Sequence, residues 1–170
     1  MSKDKITIME VIEQTMADGP GLRTSIYCAG CHHHCPGCHN PQSWDMANGH
    51  EVSIDELMDI IKADEFSNVS FSGGDPLYQV EAFTELARRI KAETSKTIWC
   101  WTGFTIEEIR ADEHLSMILP YLDVIVDGPF ILAQRNTQLL FRGSANQRII
   151  YLTPKEDDTI PGTVPLVPLR

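Results

Sequence analysis

The stretch YCAGCHHHCPGCHN (27–40) contains four of the chain's five cysteines, three consecutive histidines and two glycines. Thiols and imidazoles at this density are typical of three kinds of site: a disulfide-bonded loop, a zinc site or an iron–sulfur cluster. The chemistry of this segment therefore decides both the function of the chain and the architecture that must support it.

Size and composition are those of an ordinary globular protein. The 170 residues suit one domain with a substantial core, and 42% apolar with 22% charged residues is typical of such domains. The opening MSKDKITIMEVIEQT has no apolar run of signal-peptide length, and no stretch approaches the length of a membrane span. A cytoplasmic protein with no membrane partner is expected.

A cytoplasmic location disfavours disulfides, because cytosolic thiols are kept reduced and clustered cysteines there more often bind metal or take part in catalysis. The odd number of cysteines, five, points the same way. A net charge of −10 argues against a nucleic-acid partner, since affinity for phosphate backbones is carried mainly by Lys and Arg.

Short β-rich runs alternate with helical patterns along the chain. Strands are predicted at 5–11, 23–28, 68–72, 97–101, 122–127 and 147–152. Helices are predicted after the capping box of Ser53 and Glu56, over 79–93, and after the capping pair Thr105 and Glu108. Alternation of this kind predicts parallel strands with right-handed crossovers.

The length of the chain limits the architecture. A complete eight-stranded α/β barrel needs roughly 250 residues. About six strands therefore predict an α/β fold that is either an incomplete TIM-like barrel or an open doubly wound sheet. Residues 1–153 are expected to form this domain, and the Pro-rich tail 154–170 to pack on it without regular structure.

Glycine-containing segments recur directly after predicted strands: Gly30–Cys31, SGGDP (72–76), WTG (101–103) and DGPF (127–130). In parallel α/β folds the loops at the carboxyl ends of strands build the functional site. The four segments are therefore expected to converge on one mouth. A tight turn between strand and helix is the alternative explanation for each of these glycines.

Two subsets of the cysteines suit two different metals. Zinc ribbons place paired CxxC motifs about 15–20 residues apart, whereas Cys28-x2-Cys31 and Cys35-x2-Cys38 are separated by only three residues. Three cysteines with a nearby histidine form an alternative zinc set. The spacing Cys31-x3-Cys35-x2-Cys38 instead offers three thiolates to a [4Fe–4S] cluster and leaves one iron open to a small molecule. Cys28 and Cys100 are predicted to pack as small apolar side chains.

The CxxxCxxC spacing, with a strand before it and a Gly-rich acidic turn after the next strand, resembles the radical S-adenosylmethionine enzymes. Six blocks extend the resemblance: DGPGLR (18–23), GCHHHCPGCHNPQSWD (30–45), SGGDPL (72–77), WTGFTIEEI (101–109), DVIVDGPF (123–130) and FRGSANQRI (141–149). In this order they resemble the family of anaerobic ribonucleoside-triphosphate reductase-activating proteins. Radical enzymes in general do not share the last two blocks, so these are the most specific.

The resemblance implies an α/β radical S-adenosylmethionine core, an incomplete TIM-like barrel of about six mostly parallel strands with helices outside. It also implies an activase. One electron from a [4Fe–4S] cluster cleaves S-adenosylmethionine to methionine and a 5′-deoxyadenosyl radical, which abstracts a hydrogen from a glycine of the reductase. The partners implied are the large subunit of that reductase and an external one-electron donor such as flavodoxin.

The resemblance also implies roles for individual residues. The implied cluster ligands are Cys31, Cys35 and Cys38. The residues implied to lie against the nucleoside are Gly37, Cys38 and His39. In the turn after the third predicted strand, Gly73 and Gly74 would admit the methionine end of S-adenosylmethionine, and Asp75 would pair with its ammonium group.

Alternative explanations remain open for the two DGP turns, for Arg142 and for the function itself. DGPG (18–21) and DGPF (127–130) are expected to shape the rim where a substrate peptide enters, and the first also suits a purely structural turn. Arg142 has three candidate roles: contact with the partner, capping of a carbonyl, or binding of a carboxylate. The rival functions are activation of a pyruvate formate-lyase type of glycyl-radical enzyme, which the RGSANQR block argues against, and a non-catalytic zinc-binding module.

Overall fold

The computed structural model describes residues 3–153 and the backbone of residues 163–165. The strands are β1 Lys5–Thr15, β2 Arg23–Cys28, β3 His50–Ser53, β4 Asn68–Gly73, β5 Ile98–Trp101, β6 Val124–Asp127, β7 Arg148–Tyr151 and β8 Thr163–Pro165. The helices are α1 Ile54–Ala63, α2 Val80–Glu93, α3 Ile106–Ala111 and α4 Glu113–Ser116. In the described part of the chain, none of these helices has the length and apolar character needed to cross a membrane.

The strands form one mixed α/β sheet in the order β3-β1-β2-β4-β5-β6-β7-β8. The four central strands β2, β4, β5 and β6 are parallel, as predicted. The prediction is wrong for β1 and β7, which run antiparallel to β2 and β6. The short connection between β1 and β2 explains the first case, because a parallel crossover needs a dozen or more residues.

All six predicted strands form, and both predicted capping boxes are confirmed at the starts of α1 and α3. Two strands were not predicted. The sequence HEVS of β3 lacks an apolar alternation, and this strand exists because it pairs with β1. β8 corrects the expectation that the tail lacks regular structure, since it pairs in parallel with β7. The remaining tail positions, 154–162 and 166–170, lie outside the described residues.

The two faces of the sheet have different compositions. Ile26, Phe71 and Ile125 belong to a large apolar core that also contains the buried residues of α1, α2 and α3. Cys28 and Cys100 are fully buried in that core, which confirms that they pack as small apolar side chains. On the other face, the register aligns Tyr27 with Ser72, and Trp101 with Val126. A smaller cluster around Trp99, Val124, Val126, Ile149 and Tyr151 packs on this second face.

A buried arginine anchors the amino-terminal end of the parallel strands. Arg23 at the start of β2 is 1% exposed. Its Nε donates to Ser70 Oγ at 2.7 Å, its Nη2 to the Val69 carbonyl at 2.9 Å and its Nη1 to the Pro20 carbonyl at 3.1 Å. Its guanidinium carbon lies 5.6 Å from the centre of the Trp99 ring. Burial lowers the pKa of Arg23 to about 10, and the charges of Asp123 and Asp18 oppose that shift.

Arg23→Met is expected to lower the free energy of unfolding by at least about 2 kcal/mol, because each buried acceptor left without its donor costs about 1–3 kcal/mol. Urea titration of the variant and the wild type measures the difference. Arg88→Met is the matched control, since Arg88 is exposed and, among the described residues, its ion pair is with Glu85; this variant should change stability by less than about 0.5 kcal/mol. Equal effects of the two substitutions would contradict an anchoring role for Arg23.

Candidate functional site

A cavity of about 310 Å³ lies at the carboxyl ends of the parallel strands. The loop after β2 contributes Cys31, His33, Cys35, Cys38, His39, Asn40 and Trp44 to its lining. The segments after β4, β5 and β6 contribute Gly73, Gly74, Thr102, Gly103, Gly128 and Phe130, and the segment before β7 contributes Phe141, Arg142, Gly143 and Gln147. Residues from all four glycine-containing segments line this one cavity, which confirms their predicted convergence.

The cysteine loop is held in place by its own backbone. The Gly30 N–H donates to the Ser43 carbonyl at 2.7 Å, and the Cys31 N–H donates to the Trp44 carbonyl at 3.1 Å. Within the loop, the Cys38 N–H donates to the Cys35 carbonyl at 3.0 Å. These bonds fix the backbone at both ends of the loop.

The chemistry of the three cysteines of the CxxxCxxC motif suits the binding of an iron–sulfur cluster. Cys31, Cys35 and Cys38 are free, partly exposed thiols, and all three line the cavity. The Asn40 N–H donates to Cys38 Sγ at 3.4 Å. Burial raises the pKa of the Cys31 thiol to about 11. Because metals bind the thiolate, binding at Cys31 must release a proton.

The three consecutive histidines pack the cysteine loop against different aromatic rings. The ring centre of His32 lies 4.6 Å from that of Tyr78, the His33 ring 4.6 Å from Phe104, and the His34 ring 4.8 Å from Trp44. In residues 3–153, no three His, Cys, Asp or Glu side chains are grouped as the ligands of a single metal ion. The loop presents its three thiols along the cavity wall, and its three consecutive imidazoles contact aromatic rings.

Asp75 is 1% exposed, and its carboxylate binds protein groups from three loops. Its Oδ2 accepts from the Thr102 hydroxyl and the Gly103 N–H, both at 2.9 Å, and lies 2.7 Å from His33 Nε2. Its Oδ1 accepts from the Leu77 N–H at 2.9 Å. Three of these contacts are made by Oδ2 and one by Oδ1. Asp75 is not among the described lining residues, and its contact with an ammonium group stays a prediction.

The glycines of the adjacent turn are required by backbone packing. A Cβ on Gly73, which has φ +99°, would lie 2.4 Å from the Cys28 backbone nitrogen. A Cβ on Gly74 would lie 2.5 Å from the Gly30 carbonyl oxygen. Both glycines line the cavity. Because they lack a Cβ, the turn after β4 can approach the cysteine loop closely.

The residues predicted to contact a nucleoside divide into two groups. Cys38 and His39 line the cavity. Gly37 is not among the described lining residues; it has φ +78°, and a Cβ there would lie 2.8 Å from Leu132 Cδ1. The glycine therefore lets the loop turn beneath Leu132.

Tyr27 lines the cavity although it was not singled out from the sequence, and Trp101 was predicted only as part of the WTG segment. Tyr27 donates its hydroxyl to Asp18, and burial together with this contact raises the pKa of Tyr27. The Trp101 Nε1–H donates to the Phe141 carbonyl at 2.9 Å. The period-two alternation of β2 and β5 indicates which face such side chains occupy, but it does not indicate that a cavity opens on that face.

Comparison with known proteins identifies the family of this chain. Residues 17–150 match a family model described as a 4Fe-4S single cluster domain. The anaerobic ribonucleoside-triphosphate reductase-activating protein of Vibrio cholerae is 41% identical over 147 residues, which cover 81% of this chain and 93% of that protein. The chain belongs to this family of activating proteins.

Other members agree over a similar range. The protein of the same name from Escherichia coli K12 is 33% identical over 145 residues, with 81% of this chain and 93% of that protein covered. The one from Enterobacteria phage T4 is 36% identical over 140 residues, with coverage of 78% and 85%. Among solved structures, the crystal structure of QueE from Escherichia coli aligns with a TM-score of 0.47 at 16% identity, over 59% of this chain and 54% of that chain.

Asp75→Asn is expected to destabilise the protein, because an amide replaces one acceptor oxygen with a donor that faces other donors. Each unsatisfied group costs about 1–3 kcal/mol, and urea titration of the cluster-free protein measures the loss. Asp59→Asn, an exposed position on α1, is the control and should be nearly neutral.

The same pair of variants tests the alternative role of Asp75. If this carboxylate instead binds an ammonium group of a ligand, Asp75→Asn will leave stability unchanged. It will then weaken the binding of S-adenosylhomocysteine, measured by calorimetry, about tenfold or more.

Proposed function

We propose that this chain is a radical S-adenosylmethionine activase that generates a glycyl radical on the anaerobic ribonucleoside-triphosphate reductase. One observation carries the proposal: three free cysteines with the spacing of a cluster loop line the same cavity as a glycine turn, at the carboxyl ends of parallel strands. The family membership supports the reaction and the protein substrate.

Cys31, Cys35 and Cys38 would hold a [4Fe–4S] cluster through three thiolates, which leaves one iron for the cofactor. The donor set fits, because these are the cysteines that line the cavity, whereas Cys28 and Cys100 are buried in the core. When bound, the cluster supplies the electron that cleaves S-adenosylmethionine to methionine and the 5′-deoxyadenosyl radical. An external donor such as flavodoxin would supply that electron in turn.

The chain's own residues would bind and shield the cofactor. Cys38 and His39 would lie against its nucleoside, and Gly37 would supply the backbone turn that presents them. Gly73 and Gly74 would admit the methionine end. Apolar lining from Trp101, Phe130 and Phe141 would exclude water, which protects a carbon radical from side reactions.

We also propose that the sheet is an incomplete TIM-like barrel whose second face is the interior. Supporting this, the helices α1, α2 and α3 pack on one face of the sheet, and the other face bears the side chains that lead to the cavity. In the described residues β3 and β8 remain edge strands. An open side would let a polypeptide reach the cavity.

The segment between β6 and β7 is suited to contact such a protein substrate. It contributes Phe130 and Phe141 to the cavity, while Leu132 and Leu140 on the same segment are each 53% exposed. Exposed apolar side chains at a cavity rim are typical of protein contact sites. The large subunit of the reductase is the proposed partner.

Replacing Cys31, Cys35 or Cys38 by Ala is expected to abolish both the cluster and the cleavage of S-adenosylmethionine. Cys28→Ala should retain both, because that thiol lies in the core. Iron and sulfide content and the electron paramagnetic resonance of the reduced, anaerobically reconstituted proteins measure the outcome. A full cluster without Cys35, or its loss with Cys28 alone, would overturn the ligand assignment; a colourless protein that binds zinc would support the rival zinc module.

Transfer of deuterium tests the substrate. With the reductase's radical-bearing glycine deuterated at its α-carbon, label should appear in 5′-deoxyadenosine only when both proteins are present, together with a glycyl radical signal. The isolated chain should cleave the cofactor only slowly and without label. Label that arrives from a free nucleotide, or from a pyruvate formate-lyase type of enzyme in preference to the reductase, would contradict the proposed function.

A further inference from the structure

The sequence block FRGSANQRI (141–149) has no role in the function proposed above. Most of it belongs to residues 128–147, the β6–β7 segment, which connects β6 to β7. In the described structure this segment contains a short 3-10 turn at Leu132–Gln134 and one isolated bridge, between Arg135 and Ser144. Connections longer than about 12–15 residues with so little regular structure are uncommon and usually functional. Bonds other than a strand ladder must therefore hold its shape.

Three polar side chains of the block fasten the two limbs of the β6–β7 segment to each other. The bonds run from Gln147 Nε2 to the Gly128 carbonyl at 3.1 Å, from Asn146 Nδ2 to the Pro129 carbonyl at 2.7 Å, and from the Ile131 N–H to Ser144 Oγ at 3.1 Å. Because Pro129 has no backbone N–H, this limb cannot form a complete strand ladder. The side chains supply bonds in its place.

The same three side chains are engaged within the chain at their other polar atoms as well. Ser144 is fully buried, and its hydroxyl donates to Asn146 Oδ1 at 2.6 Å. Gln147 Oε1 accepts from the N–H of Gly143 at 2.8 Å and from the N–H of Ser144 at 3.2 Å. Each amide thus uses both its oxygen and its nitrogen to hold the segment. Direct recognition of a partner by these groups would break those bonds.

Two arginines of the block add further bonds. Arg148 donates from Nε to Asp127 Oδ1 at 3.0 Å and from Nη2 to Asp127 Oδ2 at 2.6 Å, which joins the two ends of the segment. Arg142 donates from Nη1 to the Gln147 carbonyl at 2.9 Å, and its Nε is buried with no hydrogen-bond partner among the described residues. Of the three roles considered for Arg142, the structure therefore supports the capping of a carbonyl.

The fastened segment presents apolar side chains in two places. Phe130 lines the cavity and packs on Gly143, where a Cβ would lie 3.0 Å from Phe130 Cδ2. Leu132 and Leu140 are each 53% exposed at the rim. A segment of this length without internal bonds would have to be ordered when a partner binds, and that entropy would be lost from the binding free energy.

We infer that Ser144, Asn146 and Gln147 are positioning residues for recognition of the reductase, an inference that rests on the proposed function. Their bonds keep the β6–β7 segment in its binding shape in the free chain, so that little ordering is needed when the partner docks. The block is thereby assigned to recognition of the protein substrate and not to binding of the cofactor.

The test uses two variants of the cluster-reconstituted chain. Asn146→Asp places an acceptor against the Pro129 carbonyl, and Ser144→Ala leaves the Ile131 N–H without its acceptor. Each should raise the KM for the reductase in glycyl radical formation roughly 5- to 20-fold. Each should leave kcat and the dissociation constant of S-adenosylhomocysteine within about twofold of wild type. A partly folded variant would instead lower kcat and the number of ligand sites and leave KM unchanged.

Amide hydrogen exchange gives a second readout that needs no partner. In the free chain, the peptide that contains Ile131 should exchange roughly 5- to 20-fold faster in both variants than in wild type, because the bond to Ser144 is lost or strained. Asn48→Asp is the matched control. It removes the same kind of bond, from Asn48 Nδ2 to the Gln42 carbonyl at 2.9 Å, at an exposed position outside the segment. It should keep the wild-type KM and the wild-type exchange at Ile131.

The double variant Asn146→Asp/Leu140→Ser separates positioning from direct contact. It should bind the reductase about as weakly as the weaker single variant, because a displaced segment no longer presents Leu140. Effects that multiply would show that Asn146 contacts the reductase independently and would overturn the inference. An unchanged KM, unchanged exchange at Ile131, or an equal loss of S-adenosylhomocysteine binding would also overturn it. A wild type that forms no glycyl radical on the reductase would overturn the proposed function itself, whereas a normal wild type with unaffected variants would overturn this inference alone.

Discussion

The buried carboxylate of Asp75 joins the loops that follow three parallel strands. It follows β4, and its oxygens accept from Thr102 and Gly103 after β5 and contact His33 in the cysteine loop after β2. A carboxylate at 1% exposure is stable only when its acceptor sites are filled, so the loops must stay together for the fold to tolerate it. The shape of the cavity depends on this constraint.

Close backbone contacts reinforce the same junction. The Gly74 N–H donates to the Cys28 carbonyl at 2.8 Å, and the Asp75 N–H donates to the Gly30 carbonyl at 2.9 Å. Neither glycine at 73 or 74 leaves room for a Cβ. The cysteine loop is thus bonded to the turn beside it, which fixes the backbone at this junction. Such preorganisation is what a reactive centre requires of its protein.

Much of the architecture was predictable because local patterns decide it. β2 has the predicted limits, and the capping boxes at Ser53 and Thr105 form as their spacing indicates. The direction of β1 and the existence of β3 were not predictable in this way. β3 is stabilised by pairing with a strand far away in the sequence, and its own residues carry little signal.

The sequence by itself determined the cysteine spacing, the strand–helix alternation and the glycine turns, because each depends on residues within a few positions of one another. Tertiary structure alone decided the hydrogen-bond surroundings of Asp75 and Arg142. The partners of Asp75 lie 42, 27 and 28 residues away along the chain. The sequence therefore does not show whether this carboxylate is hydrogen-bonded or free. The unpaired Nε of Arg142 likewise exists only once folding has buried it. Hydrogen-bond saturation is a property of three-dimensional surroundings, and only the folded chain specifies it.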